Sequence, residues 1–290
     1  MKIRLKVLLF FAVVLMVGAA GMSARAGVLT CAVRTSSCNA GEVVVFKMSG
    51  TTNAHAELSS QNHYTNLVCC GGTSDMSNTC TNTFATVLKL QNTTNSHVQQ
   101  NSQSGYANSA CLSVSQGSVT VAYQPTDCTG YDAIVASMSA ATNGHVGNSA
   151  AYSTKICATV TPVVSVTVSN GVVSYGTLAA NTSQDTTASG LNNTQIATNG
   201  GNIAEDFNIK GQNTACPWTL AATSGSNQYI HKFSINSGSS YTALTTNYQA
   251  LATAVVASGT QSFDLRITTP TSSSCFTQQS TDVVIQAVQH

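Results

Sequence analysis

Three stretches of this chain share one pattern of cysteine, histidine and tyrosine, and this internal repeat constrains the fold more than any other feature. The repeats span residues 38–69, 80–111 and 128–157, and each begins and ends with a cysteine. All three follow the pattern C-x9-[ML]-x3-T-N-x-H-x(6 or 8)-Y-x4-C. A unit this small cannot bury its own apolar face, so the repetition predicts three equivalent units packed around a shared core with pseudo-threefold symmetry.

Each repeat is predicted to form a β-hairpin. A short apolar run precedes the Thr-Asn step, over residues 43–48, 85–90 and 133–138, and short runs rich in β-branched residues favour strands over helices. The Thr-Asn step suits a turn because asparagine tolerates left-handed backbone, and the segment before the closing cysteine is the returning strand. Strand alternation would place one set of side chains on a common face: Val44, Phe46 and Met48, then Thr86, Leu88 and Leu90, then Ile134, Ala136 and Met138.

The chain has 10 cysteines, all of them after residue 30. The simplest pairing joins the two ends of each repeat, as Cys38–Cys69, Cys80–Cys111 and Cys128–Cys157. This leaves Cys31 to pair with Cys70, and Cys216 with Cys275 further along the chain. An exchange of partners between repeats is the alternative, because connectivity does not follow from sequence.

The N-terminal segment has the three parts of a secretory signal peptide. Lys2, Arg4 and Lys6 precede an apolar run over residues 7–17, and Ser23-Ala24-Arg25-Ala26 predicts cleavage after residue 26. The run of 11 residues is shorter than the roughly 20 that span a bilayer, and no later stretch is longer, so the mature chain is predicted to have no transmembrane segment. An even set of cysteines agrees with export to an oxidising compartment.

Charge excludes one class of partner. Only 7% of the residues are charged, and four of the 11 basic residues lie in the predicted signal peptide. The mature chain therefore has 7 basic and 10 acidic residues. No basic surface that could neutralise phosphates is expected, and nucleic-acid binding is not predicted.

The repeats form one predicted domain, residues 27–160. After the predicted linker at 158–162, the T-N-x-H pattern no longer occurs. Over residues 163–290, alternating strands such as 164–168, 263–267 and 282–288 are separated by turn clusters, which predicts a β-sandwich. Trp218 is predicted to lie in its core, and the unrepeated histidines His63, His231 and His290 are predicted to lie on the surface.

The C-terminal half resembles the immunoglobulin-like sandwiches of secreted bacterial surface proteins. Three stretches carry the resemblance, which implies a strand, a turn and a second strand, respectively: V-V-S-Y-G-T-L at 172–178, N-G-G-N-I-A-E-D-F at 199–207 and G-T-Q-S-F-D-L at 259–265. The resemblance implies a spacer or display role at a cell surface. The predicted fold is therefore all-β, with a disulfide-stapled threefold repeat of β-hairpins followed by an immunoglobulin-like β-sandwich.

The repeated histidines are the best candidate site. His55, His97 and His145 occupy one repeat position, and three imidazoles converging on an axis could bind Zn²⁺, Cu²⁺ or Ni²⁺. Asn53, Asn95 and Asn143 could then form hydrogen bonds to the metal-binding histidines and fix the orientation of their rings. The alternative is structural, with each histidine bonded to the turn backbone or to the tyrosine of its own repeat. The repeated tyrosines, which are predicted to pack in the strands, are Tyr64, Tyr106 and Tyr152.

No G-x-S-x-G elbow, H-E-x-x-H helix motif or phosphate-binding glycine loop occurs, so no enzyme activity is predicted. The leading hypothesis is a secreted structural or adhesive protein of a bacterial cell surface, such as a surface-layer or fibre subunit, with no cofactor. Its expected partners are other surface proteins or further copies of the chain, with glycans as an additional class. The alternative is an extracellular metal-binding module using the three repeated histidines.

Overall fold

The computed structural model describes residues 28–216 and 218–290. The predicted signal peptide, residues 1–26, therefore lies outside the described residues. Within them every regular element is a β-strand, which confirms the all-β class. The chain divides into two compact units, residues 28–163 (the repeat unit) and 164–290 (the sandwich unit). Residues 158–161 of the predicted linker belong to a strand, Thr154–Thr161, that completes the third repeat.

The repeat unit contains 11 strands in three small sheets. They are β1 (Thr30–Thr35), β2 (Glu42–Met48), β3 (Ala56–Leu58), β4 (Asn66–Gly71), β5 (Thr83–Leu90), β6 (Val98–Gln99), β7 (Asn108–Val114), β8 (Ser118–Gln124), β9 (Ala133–Met138), β10 (Val146–Gly147) and β11 (Thr154–Thr161).

Each repeat segment contains the same three antiparallel strands. A long strand is flanked by the returning strand on one side and by a short strand on the other, in the orders β3-β2-β4, β6-β5-β7 and β10-β9-β11. Strand β1 adds to β4 and β8 adds to β11. The prediction of two strands per repeat was thus incomplete, because the third strand is only two or three residues long and carries no readable periodicity.

The strict alternation expected along the first strand of each repeat is interrupted by a β-bulge. Ladder pairing skips Val45 in β2, Val87 in β5 and Val135 in β9, three valines at one repeat position. The extra residue turns the following side chain to the same buried side, because a bulge sets two residues opposite one. Val44, Thr86 and Ile134, which were predicted to share the core face, are consequently only half-buried.

The three sheets share one apolar core. Phe46, Leu88 and Ala136 occupy equivalent positions and are all fully buried, although their sizes differ widely, so the three repeats fill the core unequally. Other members of this core are Leu29, Met48, Val68, Leu90, Val98, Leu112, Met138, Val146 and Ile156.

The sandwich unit has a seven-stranded and a three-stranded sheet around a second core. Its strands are β12 (Val166–Val168), β13 (Ser183–Asp185), β14 (Gln195–Asn199), β15 (Glu205–Lys210), β16 (Thr219–Leu220), β17 (Gln228–Ser234), β18 (Thr242–Ala243), β19 (Gln249–Val255), β20 (Thr260–Thr268) and β21 (Val284–Gln289). Phe207 and Leu251 of the smaller sheet share a core with Phe263 and Leu265 of the larger one.

Two expectations for this unit need correction. His231 is 1% exposed rather than at the surface, because it lies on β17, a strand that has neighbours on both sides, and beside Tyr175. Residues 172–178, which were compared with a strand, form no ladder, although Val173 and Tyr175 are buried there. Trp218 is buried, as predicted.

Candidate metal centre

The Thr-Asn step positions each repeated histidine by a tight turn. Asn53, Asn95 and Asn143 have φ values of 48°, 46° and 49°, which confirms the expected left-handed backbone. After the turn, the histidine backbone folds back on the end of the preceding strand. The amide N–H groups of Ser49, Gln91 and Ser139 donate to the carbonyl oxygens of His55, His97 and His145.

Backbone bridges between repeats then bring the three turns together. Ala54 pairs with Val146, Ala56 with Ser96, and Val98 with Gly144, so that every repeat pairs with both of the others. These residues directly flank the histidines, and all of them are buried. The turns therefore close into a ring, and the histidines converge on its axis.

The imidazole rings lie in mutual contact. Their centroids are 4.7–5.0 Å apart, and the Nε2 atoms of His97 and His145 are separated by 3.1 Å. One ring nitrogen from each of the three histidines lies within 4.8 Å of the others. This is the triad that the sequence repeats identified.

Each asparagine holds the histidine of the neighbouring repeat. The Nδ1 atoms of His55, His97 and His145 lie 2.5 Å from the Oδ1 atoms of Asn95, Asn143 and Asn53, respectively. The contacts run in one direction around the ring, from repeat one to two, two to three and three to one. The structural alternative placed a bond between each histidine and the tyrosine of its own repeat. The histidine rings instead contact the asparagine of the next repeat.

The tyrosines share these same carboxamides. The hydroxyls of Tyr64, Tyr106 and Tyr152 donate to the Oδ1 atoms of Asn95, Asn143 and Asn53 over 3.0, 3.3 and 3.4 Å. An oxygen that accepts from both groups leaves Nδ1 as the protonated ring nitrogen, and the neutral imidazole then carries its lone pair on Nε2. The Nε2 lone pairs of His97 and His145 consequently face each other.

The environment of His145 favours its neutral form. Burial, together with the charges of His97 and His55, lowers the pKa of His145 below its ordinary value. No carboxylate of the described chain is among the groups that shift this pKa. At neutral pH, His145 is therefore able to act as a ligand, since metals bind the unprotonated imidazole.

Sequence reasoning missed a lysine that anchors the loop before each tyrosine. Lys47 and Lys89 occupy one repeat position, whereas the third repeat has Ser137 there and supplies Lys155 from the paired position of the returning strand. All three ammonium groups donate to loop carbonyls: Lys47 to Gln61, Lys89 to Gln103, and Lys155 to Ser149 and Tyr152. The lysine shared by two repeats was the signal available in the sequence.

The other predicted site residues have separate places. The five cysteine pairs form as predicted, including the separate partners of Cys69 and Cys70. A second group of metal-ligating residue types, Cys38, Cys69 and Glu42, offers no thiolate because both cysteines are in a disulfide. Glu42 instead pairs with Arg34 over 2.6 Å.

Comparisons with known proteins leave the site to be interpreted from its own geometry. No family model, curated protein or solved structure matches the chain. Residues 28–216 and 218–290 contain no helix long and apolar enough to cross a membrane. The five disulfides are typical of proteins that fold in an oxidising compartment rather than in the cytoplasm.

Proposed function

We propose that the repeat unit is an exported metal-binding module that holds one Zn²⁺, Cu²⁺ or Ni²⁺ ion through the Nε2 atoms of His55, His97 and His145. The observation that carries this proposal is the pair of facing nitrogens on His97 and His145, 3.1 Å apart with no donor hydrogen between them when Nδ1 is protonated. Two lone pairs at this distance repel each other, and a cation on the axis removes the repulsion.

The spacing suits a tetrahedral ion. With Zn–N bonds of about 2.0–2.1 Å, tetrahedral ligand nitrogens are roughly 3.4 Å apart. The three nitrogens lie within 4.8 Å of one another, so rotations of the rings by small angles would bring them to that spacing. Each Nδ1 is already oriented by a carboxamide oxygen, which is the arrangement that fixes the tautomer of a metal-binding histidine.

Metal content of the oxidised chain, residues 27–290 produced by secretion without a His tag, tests the proposal. We expect about one ion per chain by elemental analysis after dialysis, in line with a single three-histidine site. Loss of a residue that only hydrogen-bonds to a metal ligand lowers metal affinity by roughly 10–100-fold. Because His97→Gln removes a ligand itself, it should lower the affinity for Zn²⁺ by more than this. The matched control is His290→Gln, since His290 is exposed and belongs to the other unit.

An ion that stays bound in the His97→Gln protein would place it elsewhere and contradict the proposal. Absence of any bound Zn²⁺, Cu²⁺ or Ni²⁺ in the oxidised wild-type chain would likewise reject it and leave the triad as a structural contact.

We further propose a second role, as a structural or adhesive protein at a cell surface. The supporting observation is the pair of strands β19 and β21, each of which pairs only with β15 among the described residues and so presents a free sheet edge. Sedimentation of the mature chain at increasing concentration is the test. Self-association would support the role, and a strict monomer at every concentration would argue against a fibre or surface-layer subunit.

A further inference from the structure

The inner side of the histidine ring is closed by protein. The residues before and after each histidine, which form the bridges between repeats, are buried, and Ala54, Ala56, Val98 and Val146 are at most 1% exposed. No ligand can approach the axis from this side.

The outer side of the ring is open. The three histidines are half-buried, and Asn53, Asn95 and Asn143 around them are exposed. An ion held by three equivalent nitrogens has its fourth tetrahedral position on the threefold axis. Since the inner direction is blocked, that position points outward to solvent.

The charge of the ring favours an anion there. Imidazole is a neutral ligand when it binds a metal, so a divalent ion held by three histidines would bring two positive charges that no ligand side chain cancels. The Oδ1 atoms of the three asparagines face the histidines, which leaves their Nδ2 groups near the ring as hydrogen-bond donors.

From these features we propose that the metal bound by the triad keeps one outward coordination position, which takes a small monodentate anion such as hydroxide, azide or a carboxylate. This inference rests on the proposed metal site and specifies what that site binds. Three-histidine zinc sites with an open position hold water or an added ligand in the same way.

Azide titration of the Cu²⁺-loaded chain, with copper content measured on the same sample, provides the test. We expect a new azide-to-copper charge-transfer band that saturates at one azide per copper, and acetate should displace the azide. The His290→Gln protein should give the same titration. The His97→Gln protein should lose both the copper and the band.

The outcomes separate the two proposals. Copper bound at one per chain with an absorption spectrum that azide leaves unchanged would overturn the open position while the metal site stands. A chain that binds no copper, and no Zn²⁺ or Ni²⁺ in the same assay, would reject the metal site, and the anion site would fall with it.

Discussion

The two units of this protein solve the same problem, which is the stabilisation of many short strands, by different means. The repeat unit has four of the five disulfides and a single fully buried aromatic residue, Phe46. The sandwich unit has one disulfide and an aromatic core. Its core aromatics are Tyr175, Phe207, Trp218, Tyr229, Phe233 and Phe263. The repeat unit thus combines a mainly aliphatic core with several cross-links, whereas the sandwich unit depends more on the burial of large aromatic side chains.

Reduction of the disulfides should give the largest difference between the units. Loops of about 30 residues are each stabilised by roughly 3–4 kcal/mol in the chain-entropy model, so losing several exceeds the stability of a typical domain. We expect residues 28–163 to lose hydrogen-exchange protection in reductant while residues 164–290 keep most of theirs. Equal loss of protection in both units would contradict this contrast.

The buried histidine of the sandwich unit should dominate its response to acid. Burial lowers the pKa of His231 to about 4. Between pH 6.5 and 4, the unfolded chain therefore binds a proton that the folded chain does not bind. Stability is therefore complete above pH 6.5 and falls by about 3 kcal/mol as the pH drops to 4. Denaturant unfolding at pH 7.5 and 4 measures the fall, which His231→Gln should abolish. The same slope in wild type and variant would show that other groups cause it.

A buried glutamate in the same unit should act in the opposite direction. Burial raises the pKa of Glu205 to about 7, and its Oε2 atom has no hydrogen-bond partner. The folded chain keeps a proton that the unfolded chain releases above pH 4.5, so stability falls as the pH rises through 7. Glu205→Gln should stabilise the sandwich unit by about 1–3 kcal/mol at pH 8 and little at pH 4. A gain of equal size at both pH values would contradict this assignment.

The asparagine ring of the repeat unit should give the smallest change in stability. Asn95→Gly keeps the left-handed backbone but removes the acceptor shared by His55 and Tyr64, at a cost of about 1–2 kcal/mol. The matched control is Asn82→Gly, an exposed left-handed position in the same unit. Thermal unfolding gives the two values. Equal losses would mean that Asn95 contributes through its backbone alone.

The same variant tests whether the carboxamides support the metal. If the carboxamides orient the histidines, Asn95→Gly should weaken Zn²⁺ binding by about 10–100-fold, which is the usual effect of removing a hydrogen-bond partner of a metal ligand. Asn82→Gly should leave the affinity unchanged.

Features set by residue spacing could be predicted from the sequence, whereas irregularities of strand pairing and the hydrogen bonds between repeats could not. The constant distance between cysteines led to the pairing of Cys80 with Cys111, and the Thr-Asn step led to left-handed Asn95. The bulge at Val87 was not foreseen, because an extra residue in one strand changes the pairing without leaving a turn residue in the sequence. The bond from His55 to Asn95 crosses between repeats, so its partner depends on how the copies pack.

The one-way ring of hydrogen bonds requires the copies of the repeat to close on one another. Each repeat supplies a histidine and a tyrosine to the next copy and receives the same pair from the copy before it, so the third repeat must meet the first. A fourth copy could not be added at an end, as it can in an open solenoid, because a closed ring has no end. Deletion of one copy would leave an imidazole without its carboxamide and a carboxamide without its imidazole, so the ring as built holds three copies.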